Sequence, residues 1–249
     1  MRETSLAAPE RNLKLLEAIV ADVGRSSVAA LARAAGVPVA SAHRHIAVLV
    51  STGYIIPAGY GRHLPGPKLR ALAQMIDDRQ IMINTATPIL DRLASRTGCV
   101  AQLGVFENEM VTYLVKTGQS AGDLFTKVGM QLEAYCSGIG KVLLTHLPAQ
   151  TQAAYLANGP FIALTDRTIT DPVLLKAALE QTSAQGFAVD DEEVVAGLQC
   201  VAVPVQNVRG DVVAAISASR AARGDGGHWR SKILSMMHLA SREIGSRLG

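Results

Sequence analysis

The chain has 249 residues, of which 49% are hydrophobic and 18% are charged, and its formal net charge is +3. Residues 1–70 contain nine Lys or Arg and four acidic residues, whereas the remainder contains fifteen and seventeen, so a head of net charge +5 precedes a body of −2. This division favours two modest domains over one large domain, and the lack of a long apolar run excludes a membrane-spanning chain.

The three cysteines give no sign of a metal site or of a disulfide framework. Cys99, Cys136 and Cys200 are odd in number and far apart. Zinc ligands and paired cysteines have closer or more regular spacings, so we predict buried free thiols, no metal and no cofactor. Arg2 and Glu3 interrupt the start of the sequence, which is unlike a secretory signal. We therefore expect a soluble cytoplasmic protein.

The head begins with a loose arm over residues 1–10, and a helix follows it. From Arg11 onward, the positions of Leu13, Leu16 and Ile19 have helical spacing. We expect this helix to support the two helices that come next. Its role is structural.

A helix-turn-helix lies within a stretch that contains no Asp or Glu, from Val23 to Ile76. Ser27 is placed to cap the first helix, Gly36 to end it, and Pro38 to open the second. Such a turn is also found in ordinary helical hairpins. Because carboxylates would repel a polyanion, their absence here favours DNA binding.

The second helix has distinct inner and outer faces. Ala42, Ile46 and Leu49 share one face, and Arg44 points away from it. Small residues around one arginine fit a major groove, where arginine pairs with guanine or phosphate. A strand and a glycine-rich wing with a basic tip follow. The residues predicted to contact DNA are Ala40, Ser41, His43, Arg44, His45 and Arg62.

Residues 64–67, which include two prolines and a glycine, separate the head from a helical linker. From Lys68 the apolar positions have helical spacing, and a further helix ends at Thr97. Such a connector would carry a change in the body to the head. We therefore predict a head over residues 1–66, a linker helix over 67–82 and a body over 83–249.

The body mixes strand and helix patterns. Strands are predicted at residues 100–106, 110–116, 124–128, 186–189, 200–205 and 211–219. Helices are predicted at residues 140–147, 151–156, 171–185 and 229–248, with a glycine-rich loop at 221–227. The mixed order predicts an α+β domain with a mostly antiparallel sheet and helices packed on it.

The segment around Gly138 is the main candidate for chemistry. It resembles the end of a phosphate loop, but Tyr135 and Val142 occupy positions where that motif requires Gly and Ser or Thr, so nucleotide binding is rejected. A nucleophilic Cys136 with Lys141 would need a base held by an orienting group, and no convincing histidine partner lies nearby. Catalysis is therefore disfavoured.

A different use of the same segment is as the amino end of a helix. Free N–H groups at Ser137, Gly138 and Ile139 would bind a carboxylate, although a simple packing glycine explains the pattern equally well. The acidic run at 190–193 is typical of a solvated loop. Its first member, Asp190, lies at a predicted strand end and is placed to face a pocket.

Three passages resemble the IclR family of transcriptional regulators, and the resemblance extends over essentially the whole chain. They are VPVASAHRHIAVL at Val37–Leu49, YCSGIGKVLL at Tyr135–Leu144 and GFAVDDEEVVAGLQCVAVP at Gly186–Pro204. The resemblance implies a winged helix-turn-helix over residues 1–66. It also implies a GAF/PAS-like effector-binding and oligomerisation domain over residues 83–249.

The resemblance further implies an effector pocket and a set of partners. By position, the pocket residues would be Leu124, Leu132, Gly138, Ile139, Asp190, Leu198, Cys200, Ser217 and Ser219. The partners would be double-stranded operator DNA, a small carboxylate effector and further copies of the chain in a homodimer or homotetramer. The expected function is a regulator that senses a small organic acid, with aromatic acids of catabolic pathways among the candidates.

Two other classes of function remain open from the sequence alone. One is a small-molecule enzyme with an accessory DNA-binding head, whose turnover would depend on Cys136 or Lys141. The other is a body that only mediates protein contacts and contains no pocket.

Overall fold

The computed structural model of the protein describes residues 8–119, 124–222 and 226–248. The chain divides into two compact units, one ending at Asp77 and one beginning at Asp78. Most of the predicted N-terminal arm, and residues 223–225 of the predicted glycine-rich loop, lie outside the described residues. Residues 8–10 already belong to the first helix. None of the described helices is both long enough and apolar enough to cross a bilayer.

The N-terminal unit is a winged helix-turn-helix, as predicted. Its elements are α1 (Ala8–Asp22), α2 (Val28–Ala34), α3 (Val39–Ser51), β1 (Ile55–Pro57), β2 (His63–Pro65) and α4 (Pro67–Met75). The core between α1, α2 and α3 includes Leu15, Ile19, Leu31 and Ile46. The Ser27 side chain accepts from the N–H of Ala30 at 3.4 Å, so the predicted helix cap is present.

The wing is tied to the end of α3 and to the start of α4. The N–H of Gly66 donates to the carbonyl of Tyr54 at 2.7 Å, and the N–H of Lys68 donates to the carbonyl of Gly53 at 3.2 Å. A Cβ atom added to Gly66 would lie 2.3 Å from the Gly53 carbonyl oxygen, so only glycine fits. The Lys68 ammonium also lies 4.7 Å from the Tyr54 ring centroid.

The C-terminal unit is an α+β domain built on a six-stranded antiparallel sheet, in the order β5-β4-β3-β8-β7-β6. Its elements are α5 (Asp78–Thr97), β3 (Val100–Glu107), β4 (Met110–Thr117), β5 (Gln131–Glu133), α6 (Gly138–Thr145), α7 (Ala149–Ala157), α8 (Pro172–Gln185), β6 (Ala188–Asp191), β7 (Leu198–Gln206), β8 (Val212–Ala221) and α9 (Gly226–Gly245). The predicted hairpin is formed by β3 and β4.

The predicted strand at residues 124–128 is wrong, because the edge strand is β5, at residues 131–133. Within residues 124–128, two backbone carbonyls accept hydrogen bonds from a side chain and not from a neighbouring strand. The ammonium of Lys116 donates to the Leu124 carbonyl at 2.8 Å and to the Thr126 carbonyl. A half-buried lysine therefore takes the place of a neighbouring strand for these acceptors.

The two faces of the sheet pack against different helices. Alternation along β3 turns Ala101 and Leu103 toward an apolar cluster that also contains residues of α5 and α9. The opposite face carries Ala202 and Ala215, which pack in a second cluster with residues of α6 and α8. Cys99, Cys136 and Cys200 are buried free thiols, as predicted.

Helix α6 sits unusually close to the chain segment that precedes it. A Cβ atom added to Gly140 would lie 2.0 Å from the Ala134 carbonyl oxygen, and one added to Gly138 would lie 3.3 Å from the Ala202 Cβ. The Ser137 hydroxyl caps the helix by accepting from the N–H of Gly140 at 3.0 Å. The absence of side chains at both glycines brings the amino end of α6 onto the sheet.

We expect Gly140→Ala to destabilise the C-terminal unit by about 1 to 3 kcal/mol, because the new methyl group overlaps backbone atoms. This sign is opposite to the usual effect of the substitution within a helix, which is stabilising. Urea unfolding of the full chain measures the change. Ser235→Ala at an exposed position of α9 is the control, with an expected change within about 0.5 kcal/mol. A more stable Gly140→Ala variant would contradict the close approach.

Candidate DNA interface and ligand cavity

Helix α3 presents most of the predicted DNA contacts to solvent. Ala40, His43 and Arg44 are exposed, Ser41 is half-buried, and Arg62 is exposed in the wing. An exposed arginine on the outer face of such a helix is placed to reach a base edge or a phosphate.

His45 corrects the prediction for this surface. Its side chain is only 5% exposed, and its Nε2 atom is buried without a hydrogen-bond partner among the described residues. The cause is helical geometry, since position 45 lies three residues after Ala42 and four before Leu49, both of which are buried. His45 therefore faces the core of the unit and not the surface available to DNA.

The wing contains one histidine, His63, that does not add to its positive charge. Burial lowers the pKa of His63, and the neighbouring His43 lowers it further. His63 is therefore neutral at neutral pH. The positive charge of the wing comes from Arg62, which is exposed.

Strand register places several predicted pocket residues in adjacent rows on one face of the sheet. Asp190 is opposite Cys200, and Cys200 is opposite Ser219. Ser217 lies in the next row, between Ala202 and Gln102. Directly opposed residues of an antiparallel pair share a face, and so do residues two apart along a strand.

The amino end of α6 rests on these rows. A Cβ atom at Gly138 would lie 3.8 Å from the backbone nitrogen of Asp190. Ile139 packs in the apolar cluster on this face, and Leu132 of β5 belongs to the same cluster. The fold thus brings Gly138 and Ile139 onto the sheet face that carries Asp190, Cys200, Ser217 and Ser219.

A cavity of about 490 Å³ lies at one end of this region, and we call it the acid cavity. Three of the predicted residues line it, namely Leu124, Leu198 and Ser219. The other six predicted residues do not belong to its lining, namely Leu132, Gly138, Ile139, Asp190, Cys200 and Ser217. The hydroxyl of Ser219 is buried, with the residue only 1% exposed, and it has no hydrogen-bond partner among the described residues. A buried hydroxyl without a partner carries a desolvation cost that a ligand could offset.

Asp190 is a buried titratable group in the same row of the sheet as Ser219, and it is 2% exposed. Burial raises its pKa to about 7. Its carboxyl oxygen Oδ1 accepts from the N–H of Glu193 at 2.8 Å, which partly opposes the effect of burial. At neutral pH this carboxyl is therefore protonated in a large fraction of molecules and can donate a hydrogen bond.

The two thiols of this region are poor nucleophiles. Burial raises the pKa of Cys200, and the adjacent Asp190 raises it further. Burial also raises the pKa of Cys136 to about 12. Both groups remain protonated at neutral pH, and a thiol is far less reactive than a thiolate. The described residues contain no cluster of His, Cys, Asp or Glu that could hold a metal ion.

Sequence reasoning missed two polar contacts inside this unit. Gln102 donates to the Thr126 hydroxyl at 2.8 Å, and Lys141 of α6 forms a buried ion pair with Glu193. The available signals were a glutamine within an apolar strand and a lone lysine within an apolar helix. Buried polar groups of this kind require partners.

The raised pKa of Asp190 makes stability depend on pH. The folded pKa, about 7, lies above the usual value of 3.8, so the folded state binds the proton more tightly. We expect the contribution of this carboxyl to fall by at most about 4 kcal/mol as the pH rises from about 4 to about 7. Asp190→Asn should remove that dependence while retaining an acceptor oxygen.

Urea unfolding of the wild type and of Asp190→Asn at about pH 5 and about pH 8 measures this effect. The stability of the variant relative to the wild type should increase with pH. Asp166→Asn, at an exposed position, is the matched control and should leave the pH dependence unchanged. Parallel pH profiles for the wild type and Asp190→Asn would contradict the raised pKa.

Comparison with known proteins accounts for both units. Residues 73–245 match the family profile "Bacterial transcriptional regulator IclR C-terminal", and residues 8–56 match the profile "IclR helix-turn-helix domain". The Pca regulon regulatory protein of Pseudomonas putida is 28% identical over 248 residues, which cover 98% of this chain and 84% of that protein. The regulator XynR of Escherichia coli is 29% identical over 212 residues and 84% of each chain.

Solved structures show the same architecture. The crystal structure of Thermotoga maritima IclR has a TM-score of 0.63 and 27% identity, covering 97% of this chain and 98% of that chain. An IclR homologue of Microbacterium hydrocarbonoxydans, solved with 4-hydroxybenzoate, has a TM-score of 0.63 and 24% identity, covering 97% and 99%. With both family profiles matched and the same fold along its length, this chain belongs to the IclR family of transcriptional regulators.

Proposed function

We propose that this regulator binds operator DNA through α3 and the wing, and that a small organic acid bound in the acid cavity controls its affinity. The observation that carries the acid-sensing half is the buried hydroxyl of Ser219, which lies in the cavity wall without a partner among the described residues. A ligand that accepts this hydrogen bond would remove a desolvation cost already present in the free protein.

Three features of the sheet face that carries Ser219 favour an acid as the ligand. The first N–H groups of α6 have no partner within the helix, and a helix amino end attracts negative charge. Asp190, with a pKa of about 7, is protonated in part at neutral pH and can then donate to a carboxylate instead of repelling it. Ser219 and Ser217 on the same sheet face add hydroxyl donors.

The remaining wall of the cavity suits a carbon skeleton. Leu124, Phe125, Val195 and Leu198 line it with apolar surface. A volume of about 490 Å³ is within the range of small-molecule sites. We infer that aromatic acids are suitable candidates, and the homologue solved with 4-hydroxybenzoate supports that compound as the first probe.

We infer that residues 67–82 act as a linker and that the protein works as a homodimer or homotetramer. Helix α4 has no buried residue in the isolated chain, and it exposes Leu72 and Met75. Ile76, which follows it, is also exposed. Exposed apolar side chains of this kind support association between copies. Because paired heads read half-sites about one helical turn apart, a change in their spacing would alter operator affinity.

An enzymatic body is the alternative, and the chemistry of the region disfavours it. Burial raises the pKa of Cys136 to about 12, and Lys141 is engaged by Glu193 in a buried ion pair. Neither group is prepared to act as a nucleophile or a base. We expect no turnover of 4-hydroxybenzoate when the purified chain is assayed by chromatography.

If Arg44 reads a base, Arg44→Ala should weaken specific operator binding by about 1 to 3 kcal/mol. Titrations by gel shift, with a fragment from the protein's own genomic neighbourhood and with a scrambled competitor, measure this change. Arg96→Ala, an exposed arginine on α5, should leave affinity unchanged. Unaltered operator affinity in Arg44→Ala would remove Arg44 from base recognition.

Ser219→Ala separates ligand binding from folding. Since the variant removes a buried hydroxyl without a partner, we expect the free protein to be as stable as the wild type or slightly more stable. Affinity for 4-hydroxybenzoate should fall by about 1.5 to 3 kcal/mol, the typical value of a hydrogen bond to a charged group.

Calorimetric titration and thermal unfolding measure these two effects on the same samples. A panel of aromatic and aliphatic acids should include at least one that raises the melting temperature of the wild type in a concentration-dependent way. Ser183→Ala, at an exposed position of α8, is the control for both measurements. Unchanged acid affinity in Ser219→Ala would exclude this hydroxyl from the site.

A further inference from the structure

A second cavity, of about 530 Å³, lies at the open edge of the sheet in the C-terminal unit, and we call it the edge cavity. It is lined by residues of α6, α8, β6 and α9, and it shares no lining residue with the acid cavity. We propose that the edge cavity binds an uncharged, hydroxyl-rich small molecule of about the size of a monosaccharide.

The inner wall of the edge cavity contains a buried ion pair with an unused acceptor. Lys141 and Glu193 are 3% and 6% exposed, and the ammonium donates to Glu193 Oε1. The second carboxyl oxygen, Oε2, is buried and has no hydrogen-bond partner among the described residues. An ammonium has three N–H bonds, more than the bond to Oε1 uses. This wall therefore offers both an acceptor and donors to a ligand.

The backbone of β6 provides a second polar wall. The N–H of Glu192 donates to the Leu198 carbonyl at 2.9 Å, which fixes the alternation along the strand. Alternation directs the backbone groups of Phe187, Val189 and Asp191 away from β7, toward the open edge. The side-chain amide of Gln185 already donates to the Phe187 carbonyl at 2.8 Å, as this orientation requires. Unpaired groups of an edge strand readily accept a new partner.

The charges around the cavity argue for a neutral ligand. Lys141 and Arg230 are offset by Asp191 and Glu193, so the lining carries no net charge. The amide of Gln181 adds a neutral donor and acceptor. A hydroxyl group both donates and accepts, so a polyol can satisfy the carboxylate oxygen, the ammonium and the strand backbone together. A carboxylate or phosphate would only accept, and it would meet Glu193.

The apolar part of the lining is also suited to such a ligand. Phe187, Ile169 and Leu234 contribute hydrophobic surface to the same lining. The carbon-bound hydrogens of a sugar ring pack against such surface, while its hydroxyl groups point to the polar wall. The volume, about 530 Å³, is within the usual range for small-molecule sites.

Calorimetric titration of the full chain with D-glucose, D-galactose, D-arabinose and myo-inositol tests the proposal, with D-gluconate as the charged comparison. We expect saturable binding of at least one of the four neutral compounds and weaker binding of gluconate. Gln181→Ala, at an exposed position on the cavity rim, should weaken that binding at least about fivefold through the loss of a hydrogen bond. Gln150→Ala, an exposed glutamine on α7, is the matched control and should bind as the wild type does.

Three results would overturn the proposal. They are no saturable binding of any of the four compounds, equal effects of Gln181→Ala and Gln150→Ala, and gluconate binding as tight as that of glucose. Because the titrations contain neither DNA nor an aromatic acid, this proposal and the acid-sensing proposal can fail independently.

Discussion

The close approach of α6 to the preceding segment and to the sheet is the constraint on which the polar interior of the C-terminal unit depends. Gly140 lies against the Ala134 carbonyl, and Gly138 lies against Ala202. Because neither position carries a side chain, the amino end of the helix reaches the rows that hold Asp190 and Ser219. The same approach brings Lys141, one residue after Gly140, into the interior, where it can meet Glu193. A larger residue at either glycine would separate these groups.

The Lys141–Glu193 pair fixes the position of its two side chains more than it stabilises the fold. A buried ion pair recovers little net free energy after desolvation, but removing one partner leaves a costly buried charge. Glu193 is also held through its backbone, since its N–H donates to Asp190 and its carbonyl accepts from Thr168 at 2.6 Å. The turn after β6, which leads to Val195 in the lining of the acid cavity, is thus held at Glu193 by three contacts. A ligand in the edge cavity and an acid in the other cavity would act on the same turn, and their affinities would then be linked.

Much of the architecture could be predicted from the sequence because its signals are local. Asp171 and Pro172 mark the start of α8, and the Asp171 carboxylate accepts from the N–H of Val173 at 2.7 Å.

The wrong or missing predictions involve contacts between residues that are distant in the sequence. Lys141 and Glu193 are 52 residues apart, and no periodicity pairs them. Residues 124–128 have a strand-like composition, but Lys116 takes their carbonyls. His45 was misplaced because its position borders the buried stripe of α3, where a small rotation decides between core and surface.

The junction at Gly66 has a mechanical consequence for the head. The first turn of α4 is joined by two backbone hydrogen bonds to residues 53 and 54, directly after α3, and there is no room for a side chain between them. A rotation of α4 would therefore be transmitted directly to α3. A bulkier residue at position 66 would overlap the Gly53 carbonyl, so these hydrogen bonds would break and a rotation of α4 would no longer be passed to α3.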